Sequence, residues 1–154
     1  IQNNAYLKYL ILTHGHHDHF LAAREYLDEY SAVRFAAPEK DIPVIQAQDY
    51  PCPEPKMLLR EGDVITLGET EFRVIETPGH TIGGICLLAD KVLFTGDTLF
   101  RLSVGRTDLP TGDWFTLLHS INDKLYTLDE DTVVYPGHGA PTTIGYEKRA
   151  NPFV

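Results

Sequence analysis

The residues with the clearest chemical meaning are the six at positions 14–19, His14-Gly15-His16-His17-Asp18-His19, called the hexad below. They place four imidazoles and one carboxylate in one short segment. Imidazole and carboxylate are the usual ligands of catalytic metal sites, whereas structural zinc sites are usually rich in thiolates. The hexad follows an apolar run at 7–12 and precedes an amphipathic stretch that begins at Phe20. The pattern therefore predicts a metal site at a strand-to-helix turn, where α/β proteins place much of their chemistry.

Three further segments repeat this layout, with a metal-binding side chain directly after a predicted strand. Two are Pro-Gly-His tripeptides, at 78–80 and 136–138, and the third is Thr95-Gly96-Asp97. Proline ends a strand and glycine permits a tight turn, so the side chains that follow can point into one cleft. We expect these segments to bring His80, Asp97 and His138 to the metal site.

His17 is the odd position of the hexad and is not expected to be a ligand. Without it, the strand ends deliver five imidazoles and two carboxylates, a set too large for one tetrahedral ion. Such a set suits two ions that share one carboxylate. Two ions about 3.5–4 Å apart can hold a hydroxide between them and polarise a carbonyl group, which is the chemistry of a metallohydrolase. Zinc is the expected metal, and iron or manganese would accept the same ligands.

Short strands and amphipathic helices must position these ligands. Apolar and alternating patterns predict strands at 7–13, 33–37, 64–67, 71–76, 84–88, 91–95 and 132–135. Helical periodicity predicts helices at 18–31, 113–125 and 143–149, with Asp18 and Asp113 as N-caps of the first two. Five prolines between 38 and 62 predict an insertion loop with a short helical piece. We expect a single domain over residues 1–154.

The composition limits the partners. Twenty-two acidic and thirteen basic residues give a net charge of −9, which repels nucleic-acid phosphates and anionic bilayers. The apolar runs are far shorter than the roughly 20 residues that cross a bilayer. The two cysteines, Cys52 and Cys86, are too few for a disulfide framework. We expect a cytoplasmic protein that acts on a small molecule, without nucleic-acid or membrane partners.

The motifs together resemble the metallo-β-lactamase superfamily, and in particular its glyoxalase II-like branch of short single-domain proteins. The resemblance runs through residues 13–19, 77–80, 95–100 and 135–139. It implies an α/β (α+β) fold, a four-layer αββα sandwich with the metals at one edge of two packed sheets. It also implies further strands ahead of the hexad, so we expect a chain truncated at its N-terminus and an incomplete sheet.

The resemblance also assigns the ligands by position. The first metal would be held by His14, His16 and His80. The second metal would be held by Asp18, His19 and His138. Asp97 would bridge the two ions, and Asp97 and Asp18 are the expected catalytic carboxylates. True β-lactamases of this fold lack an imidazole equivalent to His19, so its presence favours the hydrolase branch.

The implied substrate is a thioester of the hydroxyacylglutathione type, cleaved by the hydroxide that bridges the metals. The loop after Asp97 carries Arg101 and Arg106, which are candidates for holding a substrate carboxylate, a bidentate task that suits guanidinium.

Three alternatives stay open. The stretch at 105–108, Gly-Arg-Thr-Asp, resembles persulfide dioxygenases, which would use a single iron at His14, His80 and Asp97. A two-histidine, one-carboxylate triad is typical of non-haem iron oxygenases. A phosphodiesterase of the same fold would use the full ligand set for phosphoryl chemistry, and a non-catalytic metal-binding module is the third possibility.

Overall fold

A computed structural model describes residues 6–154 of the chain. The strands are β1 Tyr9–Ile11, β2 Arg34–Pro38, β3 Met57–Leu59, β4 Val64–Leu67, β5 Thr70–Glu76, β6 Ile85–Ala89, β7 Val92–Gly96, β8 Leu99–Phe100, β9 Ser103–Val104, β10 Val133–Pro136 and β11 Thr142–Thr143. The α-helices are α1 Ala23–Glu29, α2 Ile42–Gln46, α3 Trp114–His119 and α4 Ile144–Ala150. Single 3₁₀ turns form at His17–His19 and Glu39–Asp41, and α3 continues as a π-helical stretch, Ser120–Leu125.

Two sheets and one hairpin organise the described strands. The first sheet is parallel, in the order β1-β2-β3. The second has the order β11-β10-β7-β6-β5-β4, and its β4 to β7 pair in antiparallel fashion. Because β10 runs parallel to β7, and β5 and β7 both oppose β6, the carboxyl ends of β5, β7 and β10 lie at one edge. The ligand segments predicted after these strands therefore share that edge.

Three buried clusters separate four layers. Between the sheets, Ala36 and Leu59 of the first pack against Ile65, Val74 and Leu87 of the second. Outside the first sheet, Phe20, Ala23 and Ile45 from the region of α1 and α2 cover Phe35. Outside the second, the apolar side of α3 and its extension covers the sheet together with α4, through Leu117, Ile121, Leu125 and Ile144. The layering confirms the predicted αββα sandwich.

Local sequence explains several element ends. The side chain of Asp113 accepts a hydrogen bond from the Thr116 amide at 2.7 Å, which confirms it as the N-cap of α3. The prediction that Asp18 caps the first helix is wrong, because the hexad closes in a 3₁₀ turn and α1 begins only at Ala23. The prediction of an insertion loop missed β3, which takes its hydrogen bonds from β2.

Within the described residues, no helix combines the length and apolar character that would be needed to cross a membrane. The expectation about leading strands concerns the chain before Tyr6 and lies outside the described residues.

Candidate metal centre

The four ligand segments meet at the shared edge of the sheets. The hexad follows β1, and His80 lies in the turn after β5. Asp97 directly follows β7, and His138 follows β10 by two residues. At Gly79 the backbone has φ +134°, and a Cβ there would lie 2.3 Å from the backbone nitrogen of Leu117. Glycine is therefore required for the turn that aims His80 inward.

The first donor group contains His14, His16 and His80, whose ligand atoms lie within 4.8 Å of one another. His16 Nδ1 and His80 Nε2 are only 2.9 Å apart. On its other nitrogen, the His80 ring contacts the carbonyl oxygen of Arg106, with Nδ1 at 2.7 Å. Since a carbonyl only accepts, Nδ1 donates and Nε2 keeps a free lone pair that faces the group.

The second donor group contains Asp18, His19 and His138, again within 4.8 Å. Asp18 Oδ2 lies 3.5 Å from the Nε2 atoms of both His19 and His138. Asp18 and His19 lie in the 3₁₀ turn of the hexad and belong to this group, whereas His16, which precedes the turn, belongs to the first.

Asp97 lies between the two groups. Its carboxylate oxygens are 3.6 Å from His80 Nε2, 3.5 Å from His19 Nε2 and 3.4 Å from His138 Nε2. It also forms a third donor cluster with His14 and His19. One carboxylate thus contacts donors from both groups, as a bridging ligand would.

The protonation states favour cation binding. Burial lowers the pKa of His14 to about 2, and burial together with the neighbouring His80 lowers the pKa of His16. Burial alone would raise the pKa of Asp97, but the surrounding imidazoles, first that of His19, lower it overall. At neutral pH His14 and His16 are therefore uncharged and Asp97 is ionised, the forms in which imidazole and carboxylate bind metals.

Three buried polar atoms support a cation at this place. His14 Nε2, His19 Nε2 and Asp97 Oδ1 are buried and have no hydrogen-bond partner among residues 6–154. An unsatisfied buried polar atom costs about 1–3 kcal/mol, so three at one point need an explanation. Divalent cations bound by these nitrogen and oxygen donors would satisfy all three, and the residues present fit such ions.

A cleft of about 1040 Å³ gives access to both donor groups. Its polar floor contains His16, Asp18, His80, Asp97 and His138. Its walls are mainly apolar: Pro43, Val44 and Ala47 from α2 and its end, Val104 from β9, and Leu109 and Pro110 from the loop after β9. Two cations, Lys40 and Arg106, also line it. An apolar cleft with a few convergent polar groups is the usual form of a small-molecule site.

The two predicted substrate arginines lie in different surroundings. Arg106 lines the cleft and forms a bidentate ion pair with Asp108, with Nε–Oδ1 at 2.7 Å and Nη2–Oδ2 at 2.8 Å. Arg101 is not among the residues that line the cleft, and its guanidinium carbon lies 5.7 Å from the centroid of the Tyr146 ring. Of the two, only Arg106 is therefore placed to contact a molecule in the cleft.

His17, Lys40 and the residues of α2 also lie near the donor groups. His17, in the hexad, stacks on Tyr50 with ring centroids 4.5 Å apart and contacts Gln48. It lines the cleft but belongs to none of the donor groups. Sequence analysis missed Lys40 and the whole α2 wall, because a proline-rich segment gives no periodic signal. A short charged run at 39–41 before apolar residues was the only available sign.

The αββα fold and the histidine and aspartate donors together define a class of metal-binding proteins, and comparison with known proteins identifies that class. A model of the metallo-beta-lactamase superfamily matches residues 3–138. The chain therefore belongs to this superfamily, as its motifs predicted.

Individual relatives are also similar over most of the chain. The chain is 41% identical over 162 residues to the hydroxyacylglutathione hydrolase GloC of Haemophilus influenzae. The alignment covers 96% of this chain and 76% of that protein. The solved structure of the B3 metallo-beta-lactamase BLEG-1 superposes with a TM-score of 0.86 at 37% identity, over 96% of this chain and 76% of that one. The structure of TTHA1623 in a di-iron-bound form superposes with a TM-score of 0.79 at 35% identity, over 94% of this chain and 76% of that one.

Proposed function

We propose that the protein is a binuclear metallohydrolase that cleaves a thioester of the hydroxyacylglutathione type to a carboxylic acid and a thiol. The observation that carries the proposal is Asp97, which contacts histidines of both donor groups at the floor of one cleft. The similarity to a protein named hydroxyacylglutathione hydrolase supports the substrate class.

The chain's own residues would hold two ions. His14, His16 and His80 are the ligands of the first, Asp18, His19 and His138 those of the second, and Asp97 belongs to both. Two divalent ions, when bound, supply a Lewis acid for the thioester carbonyl and make water acidic enough to act as a nucleophile near neutral pH. The similarity to a di-iron protein supports iron beside zinc as the metal in use.

The cleft suits a substrate with apolar and anionic parts. The apolar side chains of Val44, Ala47 and Leu109, which line the cleft, would contact the acyl group and exclude water from the reacting carbonyl. Arg106 and Lys40 would attract the carboxylates of a peptide-like thiol. Both cations already have acidic partners, Asp108 and Glu76, so a substrate carboxylate must compete for them.

The grouping of donors favours a hydrolase over a single-iron oxygenase. Among residues 6–154, three clusters have ligand atoms close enough to share one metal ion. They are the two donor groups and the cluster of His14, His19 and Asp97. The triad His14, His80 and Asp97 is also compact, with His80 Nε2 3.6 Å from Asp97 Oδ2, so it is the second donor group that distinguishes the two functions. An oxygenase would also leave Asp18 and His138 without a role.

The test is an activity panel on protein of measured metal content. Zinc-loaded and iron-loaded protein is assayed with S-lactoylglutathione, with a generic phosphodiester, and for oxygen uptake with glutathione persulfide. We expect two metal ions per chain and thioester cleavage as the dominant activity. Oxygen uptake with one iron per chain, or phosphodiester cleavage without thioester cleavage, would refute the proposal.

A pair of arginine variants tests the substrate contact. We expect Arg106→Ala to raise KM for the glutathione thioester about tenfold with little change in kcat, the effect of losing roughly 1.4 kcal/mol of binding. Arg101→Ala, which removes the same charge outside the cleft lining, is the matched control and should leave KM unchanged. Equal effects of the two variants would show that only the overall charge matters.

A further inference from the structure

Asp41 is a buried carboxylate beside the metal centre. Asp41 is fully inaccessible to solvent and directly precedes α2. Oδ2 accepts hydrogen bonds from the Gly15 amide and the Thr81 hydroxyl, both at 2.7 Å, and Oδ1 accepts one from the Gly83 amide at 2.6 Å. Burial raises the pKa of Asp41, and these three donors oppose the rise. Since all three partners donate, the surroundings are built for the ionised form.

These three donors lie next to the histidines of the first group. Gly15 stands between His14 and His16, and Thr81 directly follows His80. One carboxylate thus joins the two loops that carry all three of these histidines. The loops are 64 residues apart in sequence, measured between His16 and His80, so the fold alone brings them together and Asp41 bonds to both.

The other end of α2 contacts the same loop. The side-chain Nε2 of Gln48, two residues past this end, donates to the carbonyl oxygen of Gly15, and its Oε1 accepts from the backbone N–H of His17 at 2.8 Å. Both the N–H and the C=O of Gly15 are therefore held by the segment that runs from Asp41 to Gln48. The hexad is fixed against α2 rather than only by its own turn.

We propose that Asp41 is a positioning residue that holds the two loops so that His14, His16 and His80 meet at one ion. This role rests on the proposed metal centre. Replacement of the carboxylate by an amide would turn an N–H group toward at least one of the three donors. That loop would then move, and the close approach of His16 and His80 would relax. Neighbours that orient metal ligands typically affect affinity by about 10–100-fold.

Asp41→Asn is the test, and Glu147→Gln is its matched control. Glu147 is also fully buried and accepts hydrogen bonds from the Leu102 amide, the Thr142 hydroxyl and the Asn151 side chain. It contacts none of the ligand loops in these hydrogen bonds. Both variants exchange one buried carboxylate for an amide, so both should lose comparable stability toward urea in the metal-free state.

The measured quantity is zinc affinity, titrated on metal-free protein against a chromophoric chelator, with the visible spectrum of the cobalt-substituted protein as a second signal. We expect Asp41→Asn to weaken one of the two zinc sites about 10–100-fold and alter the cobalt spectrum. Glu147→Gln should leave both unchanged. Unchanged zinc affinity in Asp41→Asn, or an equal loss in both variants, would overturn the proposal.

A milder variant keeps the test decisive if Asp41→Asn does not fold. Thr81→Val removes one of the three donors and keeps the shape of the side chain, and we expect it to weaken the same zinc site about fivefold. Wild-type affinity in this variant would also overturn the role of Asp41. Wild-type protein that binds no zinc would instead refute the metal centre itself.

Discussion

Replacement of Gly137 by alanine tests whether the position of Asp97 controls the reaction. Gly137 follows β10 and directly precedes His138. A Cβ at this position would lie 2.3 Å from Asp97 Oδ1 and 3.1 Å from His19 Cε1. Carbon and oxygen atoms that are not bonded pack at about 3.3–3.5 Å, so the carboxylate must move by about 1 Å.

A shift of this size should lower the reaction rate strongly and the free energy of unfolding only moderately. A misplacement of about 1 Å in a catalytic centre can lower the rate about 100-fold. Overpacking one methyl group costs typically about 1–3 kcal/mol of unfolding free energy. We expect Gly137→Ala to fold, to hold fewer metal ions per chain than the wild type, and to hydrolyse the glutathione thioester about 100-fold more slowly.

Gly139→Ala is the control, because it lies two residues further along the same turn. Gly139 has φ +85°, and a Cβ there would meet nothing within 4 Å. Its cost is backbone strain of about 1–2 kcal/mol, without displacement of a ligand. Metal content by mass spectrometry, urea unfolding and thioester hydrolysis are compared for the two variants. The reasoning is wrong if Gly137→Ala keeps kcat within threefold of wild type, or if Gly139→Ala loses as much.

Three further outcomes are expected. Asp97→Ala should hold at most one metal ion per chain and lose at least about 100-fold in hydrolysis, because it removes the carboxylate that contacts histidines of both donor groups. In metal-free protein, burial lowers the pKa of His14 from 6.5 to about 2, so stability toward urea should be complete above about pH 6.5 and decrease as the pH falls from there. Burial also raises the pKa of the Cys86 thiol to about 11, so a thiol reagent should react with Cys52 in the native protein and with both cysteines only in urea.

For each of these three predictions, a specific result would contradict the expectation. Two tightly bound ions in Asp97→Ala would show that this carboxylate is not shared. A urea midpoint that is equal at pH 7.5 and 5.5 would mean that His19, whose pKa Asp97 raises, balances His14. Rapid labelling of Cys86 in native protein would show that the core around the second sheet opens readily.

The hexad and the three glycine-containing turns were predictable because their signals are local. Ligand type, strand-ending proline and turn-forming glycine can all be recognised within a few residues, as can the Asp113 cap. Asp18 shows the limit of such signals. Its side chain suited both an N-cap and a ligand, and only the 3₁₀ turn placed it beside His19 and His138 instead.

The parts that sequence analysis missed depend on contacts between distant segments. β3 is three residues long and gains its strand conformation from pairing with β2. Asp41 lies in a charged run that looks like an exposed surface, yet it becomes buried because Gly15, Thr81 and Gly83 surround it. No pattern within the segment records those partners.

The sequence by itself therefore determined which donors the protein offers and at which strand ends they stand, because ligand chemistry and turn formation are properties of a few neighbouring residues. The resemblance of the motifs to a family had also implied the two donor groups around Asp97, and the tertiary structure brings the same residues together. Only the tertiary structure decided which arginine lines the cleft and which buried carboxylate accepts hydrogen bonds from both loops. Those features depend on which distant segments pack against one another, and that is set only when the sheets and helices assemble.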